Sequence, residues 1–65
     1  MKATDKILDA IKNSDGPIKT GDIVEKTGLP RRVVYQETFQ LVRFGRIKRY
    51  LGLPGIFLLA EEEVS

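Results

Sequence analysis

Arg31, Arg32, Tyr35, Gln36, Phe39 and Arg43 recur at three- and four-residue steps, the spacing that gathers side chains along a helix, and Arg46, Lys48 and Arg49 follow directly. Guanidinium and ammonium groups pair with phosphate oxygens, an amide can hydrogen-bond the edge of an adenine in bidentate fashion, and aromatic rings pack on bases, sugars or other side chains. Between Lys26 and Tyr50, seven cations (Lys26, Arg31, Arg32, Arg43, Arg46, Lys48 and Arg49) stand against one acid, Glu37, although the whole chain carries only +2. The charge is therefore concentrated in one segment, the electrostatic footprint of a surface that meets a polyanion. Two arginines at the start of a helix also sit at the positive end of its dipole, where a bound phosphate would offset the local repulsion.

Each feature also has a plainer reading. Gln36 is equally an ordinary surface amide. Tyr35 and Phe39, four residues apart, are equally a packing pair for the following strands or for a second subunit. Arg46, Lys48 and Arg49 are also what a charged edge strand uses to resist aggregation. Glu61 to Glu63 read as a solvated tail.

Other chemistries are poorly provided for. The chain has no cysteine and no histidine. It therefore offers no zinc, iron or copper ligand set and no Cys–His or Ser–His nucleophile pair. Asp5, Asp9, Asp15 and Asp22 lack the spacing of a calcium loop. An enzyme, a cofactor, a metal and a small-molecule ligand are all unexpected. The longest apolar run, Ile56 to Ala60, falls far short of the ~20 residues of a membrane span. The charged start, Met1 to Asp5, does not look like a signal peptide. A cytoplasmic protein without membrane contact is the expectation.

The elements that must carry these residues are legible from periodicity. The length fits one domain, residues 1–65, of a size that buries only about 60% of its unfolded surface. Thr4, Ile7, Leu8 and Ile11 form one helical stripe, with Thr4 as its cap, and Asn13 to Pro17 stop it. Ile18-Lys19 is a short extended piece. Thr20 reads as the cap of a second helix that ends at Thr27-Gly28, a natural left-handed position. The third helix spans about 30–44. It turns Val34, Thr38, Leu41 and Gly45 inward and Arg32, Gln36, Phe39 and Arg43 outward.

Arg46 to Leu51 then looks extended, Gly52 to Gly55 is dense in turn residues, and Ile56 to Ala60 forms a second strand, together a β-hairpin. With Ile47 inward, alternation sends Arg46, Lys48 and Tyr50 outward and Arg49 and Leu51 inward. The facing of the second strand is undetermined, since it has no polar residue to set its phase. Ile11, Ile23, Leu41 and Ile47 should meet in the core. The acidic end 61–65 should fray.

This order of helix, short strand, helix, tight turn, helix and hairpin resembles the winged helix-turn-helix family. Ile18 to Leu29 looks like the first helix of that motif with its Gly-Leu turn. Pro30 to Leu41, with Gly45-Arg46-Ile47 after it, looks like the recognition helix and the step into the wing. The likeness runs over roughly residues 4–60. It implies an α+β fold of three helices followed by a two-stranded wing. It further implies sequence-specific binding of double-stranded DNA by a transcriptional regulator, with helix 30–44 in the major groove and wing 46–60 on the backbone, and with a homodimer on a two-fold site as an option. The DNA-contacting residues would be Arg31, Arg32, Tyr35, Gln36, Phe39, Arg43, Arg46, Lys48 and Arg49.

Two departures stand out. Thr38 takes a place usually held by a larger aliphatic residue, and the wing tip Leu51 to Gly55 is apolar where a backbone-gripping wing carries Arg or Lys. A more distant likeness, through Pro30-Arg31-Arg32, Phe39 and Pro54, is to the Z-form nucleic-acid-binding subgroup, which carries asparagine where this chain has Tyr35. The competing class is a protein-interaction module in a replication or transcription assembly, with the apolar wing and Phe39 as its contact surface.

Overall fold

The computed structural model describes residues 2–60, so the acidic end expected to fray lies outside the described residues. Helix α1 (Ala3–Lys12), strand β1 (Ile18–Lys19), helices α2 (Thr20–Thr27) and α3 (Arg31–Arg43) and strands β2 (Ile47–Arg49) and β3 (Ile56–Leu59) follow in chain order. The fold is α+β, as the periodicity predicts, but the sheet has three antiparallel strands in the order β1-β3-β2 rather than two. Ile18 pairs with Phe57 and Lys19 with Ile56, so the short extended piece before α2 becomes an edge strand. Two residues are too few for alternation to reveal a strand, and only the neighbouring β3 makes this one.

The facing of β3 follows from its register with β2. Ile47 lies opposite Leu59 and Arg49 opposite Phe57. Phe57 is buried and Leu59 packs partly against the core, so these two face the helices. The core joins Ile7 and Ile11 of α1, Ile18 of β1, Ile23 of α2, Val34 and Leu41 of α3, Ile47 and Phe57. The expected quartet Ile11, Ile23, Leu41 and Ile47 is inside it.

Both expected threonine caps are corrected. Neither α1 nor α2 has a side-chain cap, and the helices begin after Lys2 and Lys19. Thr4 instead donates its hydroxyl to Glu37 Oε1 of α3 at 2.7 Å. Thr20 is buried and donates both its N–H, at 2.8 Å, and its hydroxyl, at 3.2 Å, to the Gly55 carbonyl in the hairpin loop. In both cases a tertiary partner outcompetes the helix's own first turn.

Gly45 is also corrected. It does not continue the inward stripe of α3 but lies exposed beyond its end, at φ 75°. Arg46 N–H bonds Leu41 O at 2.9 Å and Gly45 N–H bonds Val42 O at 3.1 Å. This pair of bonds is the Schellman arrangement, which satisfies the last carbonyls and turns the chain toward β2.

Thr38 is buried in the stripe and explains itself locally, because its hydroxyl donates to Val34 O at 2.8 Å. That carbonyl also receives the ordinary helical N–H, so deleting the hydroxyl orphans nothing. Thr38→Val should therefore hold or raise the melting temperature, while Thr38→Ala, which removes volume, should lower it through a loss of about 1 kcal/mol of stability or more. Thermal melts of the two variants check this, and a Thr38→Val protein that melts below Thr38→Ala would assign the hydroxyl a larger role.

Candidate functional site

Helix α3 packs against α1, α2 and β2, which leaves one long side of it to solvent. Arg32, Gln36, Phe39 and Arg43 are all exposed on that side, as their spacing predicts. Gln40 is exposed with them, four residues after Gln36, and this position was missed by the sequence reading. The same four-residue step that picks out Gln36 from Arg32 would have found it. The single acid of the basic segment is kept off this side. Glu37 is half-buried toward α1, where the Thr4 hydroxyl holds it.

Tyr35 and Phe39 are each 52% exposed and line a groove of about 150 Å³ between α3 and the hairpin. Arg49, Pro54 and Phe57 form its other wall. Arg49 thus lies on the inner side of β2, opposite Phe57, as alternation predicts, yet stays exposed where it lines this groove. Arg31, four residues before Tyr35 on the same flank, reaches the start of α2 beside Thr20. A Cβ placed on Gly21 would lie 3.9 Å from its Nη2.

Arg46 and Lys48 are set apart from this group. Arg46 is exposed but borders a recess with Leu8, Asp9 and Lys12 of α1. Lys48 lies opposite Leu58, so it is one residue out of phase with Ile47, and it is half-buried. The structure therefore brings seven of the nine expected residues around the exposed side of α3 and the flank that meets the hairpin, and places two elsewhere. A larger cleft of about 440 Å³ lies between α1 and α2, but no residue of α3 or the hairpin lines it. Its mixed charges, Lys6 and Lys26 against Asp9, match no single ligand class.

The hairpin tip departs from alternation. Leu51 does not face inward and is 78% exposed, with φ 53° and ψ 26°. Gly52 follows at φ 72°, and Leu53 N–H donates to Tyr50 O at 2.9 Å. Two successive left-handed residues under such a bond make a type I′ turn, whose first central position ordinarily takes Asn, Asp or Gly.

Among the described residues, no group of three or more Asp or Glu side chains is placed to hold a metal ion, and no helix is long and apolar enough to cross a membrane. Set beside known proteins, the chain matches no protein-family model, no curated protein and no solved structure.

Proposed function

We propose that this protein is a winged-helix regulator that binds double-stranded DNA in a sequence-dependent way, with α3 in the major groove. The carrying observation is the exposed side of α3, where two arginines and two amides (Arg32, Gln36, Gln40 and Arg43) stand together without a carboxylate. A helix fits the major groove, where the Gln36 and Gln40 amides and the Arg32 guanidinium are side chains that read adenine and guanine edges, while Arg43, in the last turn, is the cation for a phosphate. Arg31 and Arg49, on the flank of the helix that meets the hairpin, add cations available to phosphates along that side. Such backbone contacts set affinity and register, and the base contacts set the choice of site. The mechanism is non-covalent: occupancy of the site blocks or recruits the transcription machinery.

Selection of bound sequences from a random duplex pool tests this reading. A defined motif is expected, and two-fold symmetry within it would report a homodimer. Gln36→Ala should then cost roughly 1–3 kcal/mol on the preferred site and relax the base choice there, with the salt dependence unchanged. If no duplex is retained even at low salt, the proposal fails. The protein-interaction reading would then replace it, favoured by the exposure of Phe44 and Leu53.

A further inference from the structure

The hairpin tip combines two features that oppose folding. Leu51 occupies a left-handed conformation that crowds its Cβ against the following carbonyl, and it exposes most of an apolar side chain to water. An asparagine in its place would relieve the first and remove the second. Strain held in a loop that nothing in the fold requires points to a role outside the fold. Leu53, on the other side of the same turn, is also exposed, and Pro54 follows it. The turn is not isolated from the proposed DNA-binding face. Arg49 leads into it, and Pro54 and Gly55 lead out of it along the groove lined by Tyr35 and Phe39.

Its base is anchored as well. The Gly55 carbonyl accepts both the N–H and the hydroxyl of Thr20, so the loop is tied to the start of α2 at the point where it leaves the tip. An apolar tip tied down at Gly55 beside a basic face has one natural target on a nucleic acid. It cannot grip phosphate, but it can enter a minor groove and wedge between stacked bases, as Leu, Ile, Phe, Met and Pro side chains do.

The geometry points to Leu51 as a wedge that enters the minor groove beside the site read by α3, opens one base step and bends the duplex. This inference rests on the DNA-binding proposal and adds to it a second mode of sequence choice. Pyrimidine–purine steps unstack most easily, so the preferred sites should carry such a step at a fixed distance from the bases read by α3, without any hydrogen bond to it. Pushing the tip between bases also converts the exposed leucine from a liability in water into buried surface, so the turn's strain is offset only in the complex.

The experiment compares the full chain with Leu51→Asn and Leu51→Ala on the selected duplex. Bending is read by energy transfer between dyes at the duplex ends, and local unstacking by the fluorescence of 2-aminopurine at the pyrimidine–purine step. The parent protein should bend the duplex by about 20–90° and raise the 2-aminopurine signal. Leu51→Asn should melt at a higher temperature than the parent, yet leave the duplex straight and the fluorescence unchanged. Leu51→Ala, which keeps the strained backbone and shortens the side chain, should also lose the bend. A parent protein that binds the duplex and leaves it straight, or a Leu51→Asn protein that bends it equally, overturns the wedge while the DNA-binding proposal stands. A parent protein that binds no duplex overturns both.

Discussion

Leu41→Ala should unfold most of the protein at moderate temperature. Leu41 is buried on the inward face of α3, in the same cluster as Ile7, Ile23 and Ile47. Removing its isobutyl group forfeits the burial and leaves a cavity that the surrounding isoleucines can only partly fill, for about 2–5 kcal/mol. A domain of this length has a total stability of roughly 3–10 kcal/mol, at ~0.05–0.15 kcal/mol per residue. At this size each kcal/mol moves the midpoint by about 4–8 °C, so a fall of tens of degrees is expected. Leu41→Met, which keeps the volume, should cost less than about 1.5 kcal/mol. Circular dichroism melts of both variants decide the point. A Leu41→Ala protein with a cooperative melt close to the parent's would show that the inward face of α3 has been assigned wrongly.

The second large effect concerns affinity. Replacing Arg31, Arg43 and Arg49 together with glutamine should abolish binding at physiological salt. Each phosphate neutralised by a protein cation contributes about 0.9 to the slope of log K against log salt. Loss of three such contacts should therefore flatten the slope by roughly three units and weaken binding near 0.1 M salt by several-hundred-fold, on the order of eightfold per contact. The loss should fall on all duplex sequences alike, because phosphates carry no sequence information. Arg46→Gln should do much less, since Arg46 sits beside α1 rather than along α3. Titrations at several salt concentrations, on variants shown to be folded, measure both slopes. An unchanged slope in the triple variant would remove these arginines from the contact surface.

Much of the architecture was legible because its signals are local. The stripe of Ile7 and Ile11, the glycine after α2, and the outward spacing of Arg32, Gln36, Phe39 and Arg43 each follow from a few neighbouring residues. What escaped was whatever depends on a partner distant in sequence. Thr4 and Thr20 are good caps by type, yet their hydroxyls go to Glu37 and Gly55, 33 and 35 residues away. Strand β1 exists only because β3 lies alongside it. The separation of Arg46 and Lys48 from the other cations depends on the turn at Gly45 and on the strand register, which a tally of charge cannot resolve. Leu51 escaped for a different reason. Alternation assumes that a strand continues, and the chain leaves β2 after Arg49 for a turn that its leucine does not advertise.

The sheet order has a consequence for how the molecule is made. Its central strand, β3, is the last of the described elements in the chain, and it supplies the pairing for both β1 and β2. During synthesis, which proceeds from the N-terminus at about 5–20 residues per second, the three helices emerge first and can begin to associate. Neither outer strand has a neighbour until Ile56 to Leu59 appears, and Phe57 enters the core with it. The sheet can therefore close only once Ile56 to Leu59 is free to pair, and a chain cut short before Ile56 would keep two outer strands with no strand to join them.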